Sequence, residues 1–205
     1  MNQTKRFSLI CMFAVIEIVL ASVPFLGFIP LGFINLTTLH LPVILAGILL
    51  GPKEGALLGA VFGTISLFNA TFNPNLTSFI FSPFIEINGI HSNGWSLVLA
   101  YVPRILLGIS SGYFYRLLLR YFGKALSASL AAMASSLVHT GLVLGGIALL
   151  FAHQYRIALG LSAQALPLAL LSLLSVNGLC ESALAAVIAP SVVKAIRGRK
   201  ELAHA

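Results

Sequence analysis

The apolar positions of this chain fall in long unbroken runs, with neither the alternation of a half-buried strand nor the narrow stripe of a surface helix. Six runs stand out: 7–23, 38–50, 54–69, 96–119, 125–151 and 161–195. A helix apolar on all sides belongs in lipid or deep in a core, and about 20 such residues cross a bilayer. The second run is short, about 20 Å as a helix at about 1.5 Å per residue. The sixth is long enough to tilt, or to break near Pro167. The pattern predicts an all-α integral membrane bundle of six transmembrane helices, in one transmembrane domain over residues 1–205. Lys5-Arg6 ahead of the first run resembles a signal peptide. Glu17 inside that run, and the further spans behind it, favour a retained helix.

Charge sets the direction. With the N-terminus inside, all of the 12 Lys and Arg except Arg104 and Arg156 fall at cytoplasmic ends of the runs. Cytoplasmic loops are enriched in Lys and Arg, so the asymmetry predicts cytoplasmic N- and C-termini, and a five-span reading would break it. Composition agrees: 59% hydrophobic and 8% charged residues, with mean hydropathy +1.01, leave too little polar surface for a soluble domain. Continuous runs also exclude an outer-membrane barrel. The pI near 9.9 reports topology, so the expected environment is a bilayer and not a nucleic acid.

The connections and small residues add organisation. Residues 24–37 are apolar and punctuated by Gly and Pro, which suits packing on the protein. Residues 71–93 are long for a connection and rich in Asn, Phe, Pro and Ser, which suits a lid over a ligand. Pro52 and Glu54 fit the first turn of a helix. Gly55, Gly59 and Gly63 recur every fourth residue, as do Gly108 with Gly112 and Gly141 with Gly145. These stripes predict close helix contacts and identify no substrate.

Arg104 is the one charge between Trp95 and Arg116. Arginine stays charged and is expensive in hydrocarbon, so it needs a cavity, an ion pair or an anionic ligand. Counting from the basic residue at each cytoplasmic end, Glu17 lies about 16 Å up, Arg104 about 18 Å, and His40 and Glu181 about 20 Å. Asn69, His139 and Asn177 lie roughly 22 to 26 Å up. Polar groups from several helices thus converge between the midplane and the outer surface, which predicts a cavity opening outward. Asn73 and Phe81 from the long connection, with Trp95 and Tyr101, extend the candidate ligand-binding set, and Phe84 is a further candidate wall. An ion pair of Arg104 with Glu17 or Glu181 is the structural alternative. For Ser22, Ser66, Ser127, Ser135 and Ser136 hydrogen bonding between helices is the expectation. Amides, imidazoles and one guanidinium suit recognition of a small, polar, anionic molecule.

Catalytic signatures are missing. Aspartate is absent, and no zinc, nucleophile-elbow or phosphate-loop motif occurs. Cys11 and Cys180 lie in apolar runs and suggest neither a disulfide nor a metal site. No enzyme, cofactor or metal is expected, and energy for uptake would come from a partner or an ion gradient.

The sequence resembles the substrate-binding S components of energy-coupling factor (ECF) transporters, the vitamin importers of prokaryotes. The resemblance covers nearly the whole chain and is carried by Leu39-His40-Leu41-Pro42-Val43-Ile44, Gly51-Pro52-Lys53-Glu54-Gly55-Ala56, Phe62-Gly63 and Asn69, Phe79 to Phe84, and Val102-Pro103-Arg104-Ile105-Leu106. The pattern is most like the pantothenate-type components. It implies a multi-pass protein of the prokaryotic plasma membrane that binds a vitamin from outside with high affinity. It implies partners too, a transmembrane scaffold subunit and two cytoplasmic ATPases, with the first outer loop, 24–37, as a gate. The family usually docks through Ala-x-x-x-Ala on the first helix. Here Ala14 is followed by Ile18, and the next alanine is Ala21. Alternatives are the same role for folate or a thiamine precursor, or a stand-alone secondary transporter, although no convincing internal repeat is seen.

Overall fold

The computed structural model describes residues 3–23, 26–31, 34–87 and 89–202. Helices carry the chain: α1 (Gln3–Ser22), α2 (His40–Leu49), α3 (Pro52–Phe72), α4 (Trp95–Leu118), α5 (Lys124–Leu150), α6 (Ala152–Leu159), α7 (Ala165–Leu173) and α8 (Leu179–Leu202). The all-α expectation holds for the frame, and α3, α4, α5 and the stretch Ala165–Ile196 are long and apolar enough to cross a bilayer. Two small antiparallel hairpins interrupt the connections. The first pairs β1 (Phe28–Leu31) with β2 (Ile34–Thr37), and the second pairs β3 (Glu86–Ile87) with β4 (Ile90–His91). Within the 24–37 connection, residues 24–25 and 32–33 lie outside the described residues.

Of the two alternatives for the sixth run, tilt or a break near Pro167, the helix does not break at Pro167. Pro167 sits in the first turn of α7, where its missing N–H has no partner to lose. The irregularity comes instead as a π-helical turn, Leu174–Gly178, which joins α7 to α8. The start of α3 is as expected: Pro52 opens the helix after Gly51, whose φ of 126° disfavours any side chain. Glu54 in that first turn pairs with Arg6 of α1, and a Cβ on Gly51 would stand 2.9 Å from Arg116 Nη2. The basic ends of α1, α3 and α4 therefore meet at one end of the bundle.

Helices α2, α3 and α4 touch through their backbones. A Cβ on Gly55 would strike the carbonyl of Gly108, one on Gly59 the carbonyl of Arg104, and one on Gly47 the Ser111 hydroxyl and the Gly108 carbonyl. Ala128, Ala131 and Ala132 of α5 and Ala185 and Ala189 of α8 are buried in the same core. The third glycine pair does not behave as expected. A Cβ on Gly141 or Gly145 would meet nothing within 4 Å, whereas Gly146 lies against the Leu99 side chain. Among the described residues these two glycines make no close helix contact.

Two of the five predicted helix-bridging serines bond to their own helix instead, Ser22 to Ile18 and Ser135 to Ala131, and Ser127 bonds to Phe122 just ahead of α5. Hydroxyls at these positions reach the preceding turn more easily than a neighbour. Two apolar clusters result. The larger one, with Phe13, Ile44, Leu58, Phe62, Leu107 and Val193, fills the bundle toward the Arg6–Glu54 end. The smaller one, with Phe79, Ile80, Leu99, Ile147, Phe151 and Tyr155, caps the other end.

Candidate ligand-binding cavity

Between the two clusters lies a cavity of about 730 Å³, opening at the end opposite the Arg6–Glu54 pair. Helix α3 contributes Ser66 and Asn69, with Asn73 just beyond it, and α4 contributes Arg104. Helix α5 adds His139 and Thr140, and the π turn with α8 adds Asn177 and Glu181. From the long connection, Asn75, Thr77, Ser78, Ile80 and Phe81 close one wall, so its first half covers the cavity as a lid would. The second half turns away, leaving Phe84 73% exposed and off the cavity.

Arg104 is buried. Pro103 leaves the Leu99 carbonyl without its helical donor, and Arg104 Nη1 donates to that carbonyl at 2.6 Å. The guanidinium carbon stands 4.6 Å from the Phe81 ring centre and 5.4 Å from that of Phe62. Its Nε has no hydrogen-bond partner. The alternative ion pairs with Glu17 and Glu181 are not formed: among the described residues the acid–base contacts within 4 Å are Arg6–Glu54 and His91–Glu86. Glu17 is fully buried in α1, both carboxyl oxygens without a partner.

Glu181 lines the cavity and accepts a hydrogen bond from the Thr37 backbone N–H at 2.8 Å, so it holds the base of the β1–β2 hairpin. Asn73 Nδ2 donates to Asn69 Oδ1 at 3.2 Å. His139 Nε2 and Asn177 Oδ1 are buried without partners. Seven of the ten residues expected from sequence thus share this cavity: Arg104, Asn69, Asn73, Phe81, His139, Asn177 and Glu181.

The other three stand elsewhere. His40 lies behind the wall, its Nε2 at 3.3 Å from the Glu181 carbonyl, and braces the start of α8 from α2. Tyr101 faces α3, its hydroxyl 3.0 Å from Thr64 Oγ1, because Gly63 leaves room for its ring there. Trp95 opens α4 and is 55% exposed. On α1, Ala14 and Ala21 are half-buried against the core, while Ile18 is 51% exposed. The outward face is instead Met12, Val15, Ile16, Ile18 and Val19.

Sequence reasoning missed Thr37, Thr140 and Tyr155 as lining residues. Tyr155 belongs to the short helix α6, whose mixed composition gave no apolar run to notice. Burial pushes its phenol up from its ordinary value near 10, which keeps the hydroxyl protonated and able to donate. Among the described residues no three His, Cys, Asp or Glu gather as a metal site.

Comparison with known proteins adds family context to this geometry. The profile of the family described as "ECF transporter, substrate-specific component" matches residues 5–193. The "Pantothenic acid transporter PanT" of Lactococcus lactis subsp. cremoris is 37% identical over 161 residues, 78% of this chain and 76% of that protein. The "Pantothenate transporter PanT" of Leuconostoc mesenteroides subsp. mesenteroides is 31% identical over 125 residues, 58% of this chain and 54% of that protein.

Proposed function

Because the chain belongs to the substrate-specific components of ECF transporters, we propose that it captures pantothenate from outside the cell and hands it to an ATP-driven module. It is a multi-pass membrane transport protein and not an enzyme. In this reading the chain is one domain of six spans: α1 to α5, and the α7–α8 unit as the sixth. Both termini face the cytoplasm of a prokaryotic cell, which puts the basic helix ends inside and the cavity mouth outside. The names of the two relatives support the ligand.

The observation that carries the proposal is Arg104, buried beside a polar cavity with no carboxylate within 4 Å of it among the described residues. Pantothenate is an anion carrying hydroxyl and amide groups. Its carboxylate meets the guanidinium, the strongest pairing available to a planar cation. Asn69, Asn73, His139, Asn177 and Glu181 serve the hydroxyl and amide groups, and Phe81 forms an apolar wall. Hydrolysis of ATP falls to two ATPase subunits bound to a transmembrane scaffold, since the chain has no phosphate loop of its own. The apolar face of α1 around Ile18 is the proposed contact with that scaffold.

Equilibrium binding of pantothenate to the purified chain tests the reading, with folate, riboflavin and thiamine as controls. Saturable binding of pantothenate alone is expected. Arg104→Ala should weaken it by about 2 to 5 kcal/mol while the protein stays folded. Binding of a control vitamin instead overturns the ligand. Failure of the tagged chain to copurify a scaffold subunit and ATPases from its native membrane overturns the partnership.

A further inference from the structure

Among the described residues two prolines lie past the first turn of a helix, Pro103 in α4 and Pro190 in α8. Proline has no N–H, so the carbonyl four residues earlier loses its partner. Below Pro190 that carbonyl belongs to Ala186, and the Ser129 hydroxyl of α5 donates to it at 2.7 Å. Below Pro103 it belongs to Leu99, and the donor at 2.6 Å is Arg104 Nη1. The bundle meets both freed carbonyls with a side chain. Only at Pro103 is that side chain the cation of the cavity.

This difference fixes how Arg104 is presented. Side chains on a helix lean toward its N-terminus, and the Leu99 carbonyl holds the guanidinium in that direction, toward the outer end of α4. The Phe81 and Phe62 rings lie beside it at 4.6 and 5.4 Å. With Nη1 committed and Nε without a partner, the side-on edge formed by Nε and Nη2 remains. That edge carries two parallel N–H groups, the pair that matches the two oxygens of a carboxylate.

We infer that Pro103 is a positioning residue: by freeing the Leu99 carbonyl it anchors Nη1 of Arg104 and turns the Nε–Nη2 edge toward the ligand's carboxylate. The inference rests on the reading of Arg104 as the carboxylate clamp. Any residue with an N–H at position 103 gives Leu99 its helical donor again. That donor competes with Nη1, and the guanidinium is then free to swing.

The test measures affinity for pantothenate and for its neutral alcohol analogue, pantothenol, in the wild type, Pro103→Ala, Pro103→Val and Arg104→Ala, with thermal melts to confirm folding. Valine keeps more of the proline volume and covers the case in which alanine fails to fold. The expected result is that either Pro103 variant loses about tenfold or more of the preference for the carboxylate. Its affinity for pantothenol should change less than about threefold. General damage to the fold would weaken both ligands alike and leave the preference intact, which overturns the inference. Loss of the preference in Arg104→Ala but not in the Pro103 variants overturns it too. An unchanged preference in Arg104→Ala removes the clamp itself, a distinct failure.

Discussion

The two ends of this bundle are built in different ways. Toward the Arg6–Glu54 end, α2, α3 and α4 press backbone to backbone at Gly47, Gly55 and Gly108. Toward the other end α3 and α4 stay in contact at Gly63, and a cavity lined by Arg104, His139, Asn177 and Glu181 opens between them and α5 and α8. Gly59 links the two, because it packs on the carbonyl of Arg104 while the arginine side chain lines the cavity. Between helices in lipid there is little hydrophobic drive, so close packing of small residues supplies the cohesion. The cavity end does the reverse and holds Arg104 Nε, His139 Nε2 and Asn177 Oδ1 without partners. Each such buried orphan costs about 1 to 3 kcal/mol, which the rigid end has to offset. A frame without slack is what lets the site keep polar groups ready for a ligand.

Substitutions at the two ends should separate stability from binding. The largest effect is expected at Gly55→Leu or Gly108→Leu, where a side chain collides with backbone that cannot yield. Folded protein should be lost, a destabilisation above about 3 kcal/mol, read as detergent-solubilised yield and melting temperature. A wild-type melt in either variant would mean that the helices do not meet where Gly55 and Gly108 touch. Phe81→Ala should act the other way, weakening ligand affinity by about 1 kcal/mol through the lost cation–π contact, with little change in the melt. The smallest effects belong to Trp95→Ala on affinity and Gly141→Ala on stability, each within about 0.5 kcal/mol. A large effect at Trp95 would place the ligand outside the cavity described above.

Much of this was legible in the sequence, for identifiable reasons. The apolar runs foretold an all-α frame with several helices long enough to cross a bilayer, because lipid demands continuous apolarity over a fixed length. Arg104 drew notice because an isolated charge in such a run needs an explanation. Depth along the helices found five residues that share one cavity, Arg104, Asn69, His139, Asn177 and Glu181. Glu17 and His40, at similar depth, stand off it, because depth gives height along a helix and says nothing of which way a side chain faces. Helix α6 and its Tyr155 escaped notice because a short helix of mixed composition leaves no periodic signature.

The sequence by itself determined the environment, the helical frame and the small-residue stripe that welds α3 to α4, since each depends on composition and spacing along one segment. Only the tertiary structure decided that, among the described residues, nothing stands within 4 Å of a Cβ on Gly141 or Gly145, that Glu181 holds Thr37, and that Arg104 is tied to Leu99 with no carboxylate within 4 Å. Those outcomes depend on the rotation of each helix about its axis and on which partners arrive from other segments. Contacts of that kind are settled when the helices pack, because every polar atom then competes for the same few neighbours.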